Sequence, residues 1–104
     1  MAYEVIWSPS ALGDLVDIAE YIELDSPFNA AKVVSKFYEL VGRYGNRPRA
    51  ATIVPELKNE IYRHKLVYGW RVIYRIDDVH KSVYVIAILH GKRQFNNIQG
   101  RFLE

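Results

Sequence analysis

The basic and ionisable side chains that could meet an anionic partner crowd one short stretch. Residues 70–76 read Trp-Arg-Val-Ile-Tyr-Arg-Ile, a polar turn spans 77–81, and an apolar run at 83–89 leads into His-Gly-Lys-Arg at 90–93. Side chains in a strand have period two, so Arg71 and Arg75 are expected on one face, near enough to form one surface. Lys92 and Arg93 should close the last strand beside that face. Arg63 and Lys65, in the alternating stretch 61–67, are read onto it as well. Guanidinium groups keep their charge and offer forked donors, which suits either RNA phosphate or an acidic protein surface. His90 has the intrinsic pKa for general acid or base work, although a strand-end histidine bonded to backbone is the plainer reading. Arg71 and Arg75 have a plain reading too, as exposed strand arginines that keep a sheet soluble.

Positioning these groups requires a β-hairpin. Trp70, Val72, Tyr74 and Ile76 give the first strand a greasy face. The second run is apolar on both parities, as expected of an interior strand. Upstream, residues 3–7 alternate as a short strand. Ser8-Pro9 and Ser26-Pro27 are helix starts, with serine capping and proline in the first helical position. They predict helices over 9–24 and 27–44. The first has Leu12, Leu15, Ile18, Ala19 and Ile22 as its apolar stripe, with Asp14, Asp17, Glu20 and Glu23 largely on the solvated side. The second turns Val33, Phe37, Val41 and Tyr44 inward, and Gly45 should end it in the left-handed region. A loop covers 47–55, a third β-rich stretch covers 57–68, and Tyr68-Gly69 turns into the hairpin. The order β–α–α–β–β–β predicts an α+β fold: an N-terminal strand, an α-helical hairpin, then a three-stranded antiparallel meander, with the helices packed on one face of the sheet. The other face is left to the arginines. Residues 96–104 give weak signals and read as a tail that docks through Phe102 and Leu103 or frays.

A chain of 104 residues is expected to form a single domain over 1–104. It has no cysteine, and His64, His80 and His90 lack metal-ligand spacing, so neither metal nor cofactor is expected. The absence of a signal peptide and of a long apolar run predicts a cytoplasmic protein with no membrane contact. The formal net charge of +2 conceals an asymmetry: residues 1–31 carry −6 and the remainder +8. The basic flank suits an anionic partner.

The order of elements, Val-Pro-Glu-Leu at 54–57, the strand at 70–76 and Ile-Leu-His-Gly-Lys-Arg at 88–93 together resemble the RelE/ParE toxin superfamily over roughly residues 3–95. The resemblance implies the toxin of a type II toxin–antitoxin (plasmid stabilisation) system, held inactive by a cognate antitoxin. RelE-like members are ribosome-dependent mRNA endonucleases that need no metal, because the RNA's own 2′-hydroxyl attacks. Such an enzyme must supply a base, a stabiliser for the phosphorane-like transition state and an acid. ParE-like members inhibit DNA gyrase. Arg71 and Arg93 match positions that are basic and functional in RelE-like enzymes. The tyrosine those enzymes often carry past Gly-Lys-Arg is absent: Gln94, Phe95, Asn96 and Asn97 follow. Some ribonucleases of the superfamily use a Glu–Arg–His set, which Glu56, Arg71 and His90 could imitate if the sheet brings them together. The missing tyrosine tilts the reading to the ParE-like, non-nucleolytic branch. The alternatives are a ribosome-dependent mRNA endonuclease and a non-toxic nucleic-acid-binding module.

Overall fold

The chain is described from a computed structural model covering residues 2–90 and 95–102. Strand β1 is Glu4–Trp7, helices α1 and α2 are Pro9–Glu23 and Pro27–Gly42, and strands β2 to β5 are Thr52–Ile53, Tyr62–Val67, Trp70–Asp77 and Ser82–His90. They form a five-stranded sheet in the order β1-β5-β4-β3-β2. Strands β3, β4 and β5 make the expected antiparallel meander. Strand β1 lies parallel to β5, with the helical hairpin as the crossover between the N-terminal strand and the meander. The two-residue β2 lies within the stretch read as loop and pairs with β3. The long stretch read as β from 57 shortens to Tyr62–Val67 because Leu57 and Lys58 turn back onto the Val54 carbonyl, with Lys58 at φ 51°.

Both helices begin as serine–proline pairs dictate. Ser8 Oγ accepts from Ala11 N–H at 3.0 Å and Ser26 Oγ from Asn29 N–H at 3.3 Å. Their apolar faces cover one side of the sheet. Leu15, Ile18, Phe37 and Val41 pack there on Val72, Tyr74, Ile76, Val83 and Val85. Gly45 sits where it does for a different reason from the one expected. It closes a 3-10 turn at Arg43–Gly45 and does not have a positive φ. Tyr3 N–H donates to its carbonyl at 2.8 Å, and a Cβ there would fall 2.0 Å from the Tyr3 carbonyl oxygen. Glycine is required so that the chain can enter β1 in contact with the end of α2.

The opposite face of the sheet is covered too. A 3-10 segment, Phe95–Phe102, lays Phe95 and Ile98 onto Ile73, Ile86, Ala87 and Leu89. Phe102 stacks on Phe95 with ring centroids 5.2 Å apart and meets Tyr62 edge-on. Of the two outcomes expected for this tail, docking through Phe102 is the one found, and Leu103 lies outside the described residues. Asp14, read as part of a solvated acidic face, is buried and holds this segment in place. It accepts from Arg101 Nη1 at 2.7 Å and Nη2 at 3.1 Å, and from Ile88 N–H at 2.9 Å. The backbone of β5 needs that acceptor because β1 pairs with it only as far as Val85. No helix among the described residues is long and apolar enough to cross a membrane.

Candidate functional site

Strand pairing decides which basic residues share a face. Directly opposed residues in antiparallel strands lie on the same side. Tyr68 and Gly69, both at positive φ, make a two-residue turn, so Val67 opposes Trp70, Lys65 opposes Val72 and Arg63 opposes Tyr74. Arg63 and Lys65 therefore lie on the helix-covered side, not on the arginine face where the alternation alone had placed them. Arg63 is buried. It donates to the Arg49 carbonyl at 2.7 Å, the Ala51 carbonyl at 3.1 Å and the Glu60 carbonyl at 2.7 Å, which ties the 49–60 loop to β3. Lys65 is exposed and reaches toward the Tyr44 ring.

The same register puts His64 on the face of Arg71, and it is His64 that completes a Glu–Arg–His cluster. Arg71 Nε donates to His64 Nδ1 at 2.6 Å. Its Nη1 donates to Glu56 Oε2 at 2.8 Å, and its Nη2 donates to Glu56 Oε1. Phe95 lies under the guanidinium, 5.6 Å from ring centroid to Cζ. Glu56 arrives because Val54 is fully buried beside Ile73 and anchors the tight turn through 54–58. His90 stands elsewhere. It opposes Trp70, meets that ring edge-on with centroids 4.6 Å apart, and so belongs to the other side of the sheet from Arg71. The sheet does not bring it to Glu56 and Arg71. Lys92 and Arg93 lie outside the described residues.

The cluster is built to hold charge. The Arg71 hydrogen bonds keep the Glu56 carboxyl below the usual carboxylate range, so it stays ionised. Burial pushes the His64 pKa down, and the neighbouring Arg71 charge adds to the effect, against a smaller opposing pull from Glu56. Arginine can only donate, so His64 Nδ1 must be the acceptor and Nε2 carries the proton. In that tautomer the ring has no lone pair left for a general base. Among the described residues, three of the five Arg71 N–H groups are engaged.

Arg75 shares the face of Arg71 but not its surroundings. Four residues of strand separate them, about 13 Å, so they do not form one compact surface. Arg75 opposes Tyr62 on one side and Tyr84 on the other, and its guanidinium lies 5.5 Å from the Tyr84 ring centroid.

A second surface lies on the helices. Leu12, Val16, Ala19, Val34 and Tyr38 line a groove of about 540 Å³ between α1 and α2, together with Glu20 and Glu23. Leu12, expected in the core, is 38% exposed here, and Val16 54%. Beyond the groove, Tyr21, Leu24 and Phe28 add exposed apolar area at the tip of the hairpin.

Comparisons with known proteins bear on the fold and the family. A family model described as the ParE toxin of the type II toxin–antitoxin system, parDE, matches residues 5–95. No curated protein matches. Among solved structures, a chain of the chromosomal ParDE toxin–antitoxin system from P. aeruginosa superposes with a TM-score of 0.70 at 20% identity, over 86% of this chain and 96% of that one. A mutant of the E. coli toxin RelE in its free state gives 0.66 at 18% identity, over 99% and 100% of the two chains. The RelBE2 toxin–antitoxin complex from Mycobacterium tuberculosis gives 0.59 at 23% identity, over 86% and 99%. At these identities the structural likeness is one of fold. The family match spans nearly the whole chain, and this chain belongs to the ParE toxin family, the toxin component of type II toxin–antitoxin systems.

Proposed function

We propose that this toxin acts by inhibiting DNA gyrase rather than by cutting mRNA, and that a cognate antitoxin restrains it through the groove between α1 and α2. The observation that carries the first part is the state of the Glu56–Arg71–His64 cluster. Cleavage by the 2′-hydroxyl route needs a base and an acid with pKa values near the working pH. Glu56 is held ionised and His64 is held neutral with its acceptor nitrogen occupied, so neither is set to move a proton. What the cluster offers is a rigidly held guanidinium, already paired with Glu56, whose remaining N–H groups can donate to a partner's polar groups. Arg71, with Lys92 and Arg93, is assigned to that contact.

The antitoxin reading rests on the groove. It is lined mainly by apolar side chains with Glu20 and Glu23 among them, and six of its eight lining residues come from residues 1–31, which carry −6. A complementary partner is an amphipathic segment with aliphatic anchors at helical spacing and Lys or Arg beside them, disordered until it binds. The product of a neighbouring gene should co-purify with the toxin, and Val16→Asp or a Glu20→Lys, Glu23→Lys pair should release it.

The deciding experiment is induction of the toxin in cells with translation and the DNA damage response followed together, alongside a gyrase supercoiling assay on purified toxin. Gyrase inhibition with an early damage response is expected. Early mRNA cleavage would overturn the assignment in favour of a ribosome-dependent endonuclease that uses the same cluster. Steeply salt-dependent nucleic-acid binding without a growth defect would overturn it in favour of a non-toxic binding module.

A further inference from the structure

A second basic site lies behind the C-terminal segment, remote from Glu56 and Arg71. A cavity of about 210 Å³ opens between the sheet, the first turn of α1 and the end of the Phe95–Phe102 segment. Its floor is a row of three side chains across adjacent strands: Tyr62 on β3, Arg75 on β4 and Tyr84 on β5, each opposed to the next. Ser10 from the start of α1, with Arg101 and Phe102 from the C-terminal segment, completes the wall.

Arg75 is the feature that calls for a ligand. Four arginines among the described residues are buried or half-buried. Arg63 is paired with Glu60, Arg71 with Glu56 and Arg101 with Asp14. Arg75 has no carboxylate partner among the described residues, and its Nε is buried without an acceptor. A buried guanidinium donor left unbonded is unfavourable unless something supplies the acceptor. The fork is held over the Tyr84 ring, which fixes its direction without using its N–H groups.

We propose that this cavity binds a phosphate monoester dianion or inorganic phosphate. Arg75 would supply the forked charge, and the hydroxyls of Tyr62, Tyr84 and Ser10 would supply further donors. With the Arg75 fork, the hydroxyl-bearing residues that line the cavity from two further strands and a helix hold more donors than a planar carboxylate can accept, whereas a terminal phosphate presents three oxygens. Arg101 is already neutralised by Asp14, so the net positive charge facing the cavity is that of Arg75.

The full-length toxin should be titrated, at constant ionic strength, with inorganic phosphate, with a 5′-phosphorylated dinucleotide and with the same dinucleotide lacking the phosphate, each followed by calorimetry and by ³¹P NMR. Saturable binding of phosphate or of the phosphorylated dinucleotide, but not of the unphosphorylated one, is expected. Which of the first two binds identifies the source of the phosphate. Arg75→Gln should weaken that binding by about tenfold or more, the loss of a charge-assisted donor. Should that variant fail to fold by circular dichroism, the Tyr62→Phe, Tyr84→Phe double variant removes only two hydroxyls and should still weaken binding several-fold. Equal affinity for the phosphorylated and unphosphorylated dinucleotides, no saturable binding of either phosphate or the phosphorylated dinucleotide, or affinity unchanged in a folded variant would each overturn the site.

Discussion

Replacing Asp14 by Ala should destabilise the protein far more than its place on an acidic helix suggests. The carboxylate side chain is 10% exposed and accepts three hydrogen bonds, from Ile88 N–H at 2.9 Å and from Arg101 Nη1 and Nη2 at 2.7 and 3.1 Å. Without it the Ile88 N–H is buried with no acceptor, which costs about 1–3 kcal/mol. Arg101 keeps the Ile86 carbonyl at 3.1 Å and, at 27% exposure, recovers part of its solvation. The lost ion pair then adds about 1 kcal/mol, nearer the surface value than the buried one. The expected total is about 2–4 kcal/mol, and at about 4–5 °C per kcal/mol for a domain of this size Tm should fall by about 8–20 °C. Arg101→Ala leaves Asp14 bonded to Ile88 and should cost less, about 1–2 kcal/mol. The double variant should be little worse than Asp14→Ala alone, because Arg101 acts mainly through Asp14. Urea melts of the four proteins measure this cycle. If the two single effects add within about 0.5 kcal/mol, or Asp14→Ala melts within about 2 °C of the parent, the carboxylate does not hold the C-terminal segment to β5 and the reasoning fails.

Gly45→Ala should destabilise by about 1–3 kcal/mol and speed amide exchange in β1, since its Cβ would meet the Tyr3 carbonyl oxygen at 2.0 Å. Unchanged exchange at Val5 and Trp7 would show that the approach can relax. Stability should fall as pH drops from about 6.5: the folded-state pKa of His64 lies below its unfolded value, so the unfolded chain binds the proton first. His64→Gln should flatten urea midpoints between pH 7 and 5, and an unaltered slope would place the effect elsewhere. Arg71→Ala should lower toxicity, with a stability loss above the roughly 0.5 kcal/mol of an exposed site, because the side chain is 15% exposed and clamped. Wild-type killing by a folded Arg71→Ala variant would remove Arg71 from the target contact. Val85→Asp should abolish toxicity by unfolding, since Val85 is fully buried and the charge would have no partner; native circular dichroism would contradict that.

Much of the fold was legible because local signals and burial agreed. Ser8-Pro9 and Ser26-Pro27 start helices as their capping chemistry requires, and the two-sided apolar run in β5 is interior, flanked by β1 and β4. Two features were not legible and a third only in part, and all depend on groups distant in sequence. Gly45 answers to the backbone of Tyr3, which no local pattern contains. Asp14 looks like any solvated helix carboxylate until Arg101 and the open edge of β5 are placed beside it. The segment after 95 has few apolar residues, but Phe95, Ile98 and Phe102 recur at spacings of three and four and cover Ile73 and Leu89, which would otherwise face solvent.

The candidate site turned on register rather than on composition. Alternation within residues 61–67 admits either parity, and the charged residues Arg63 and Lys65 seemed the natural outward pair. The Tyr68-Gly69 turn already contained the correction. Two residues between strands put Val67 opposite Trp70, and Trp70 shares the parity of Val72, Tyr74 and Ile76, the apolar face. Counting back two at a time from Val67 sends Lys65 and Arg63 to the helix side and leaves Tyr62 and His64 facing the arginines. Across β4 the count alone would have set Leu89 opposite Trp70; a bulge at Ile86, between the pairs Tyr74–Val85 and Ile73–Ala87, shifts the register by one and takes His90 to the side of Trp70. Even so, counting could not have found the clamp. That Glu56 meets Arg71 depends on Val54 burying itself beside Ile73, a contact between a loop and a strand that alternation does not encode. The basic face thus divides into two stations, one where Arg71 is held by Glu56 and His64, and one where Arg75 waits between two tyrosines for an acceptor the described chain does not provide.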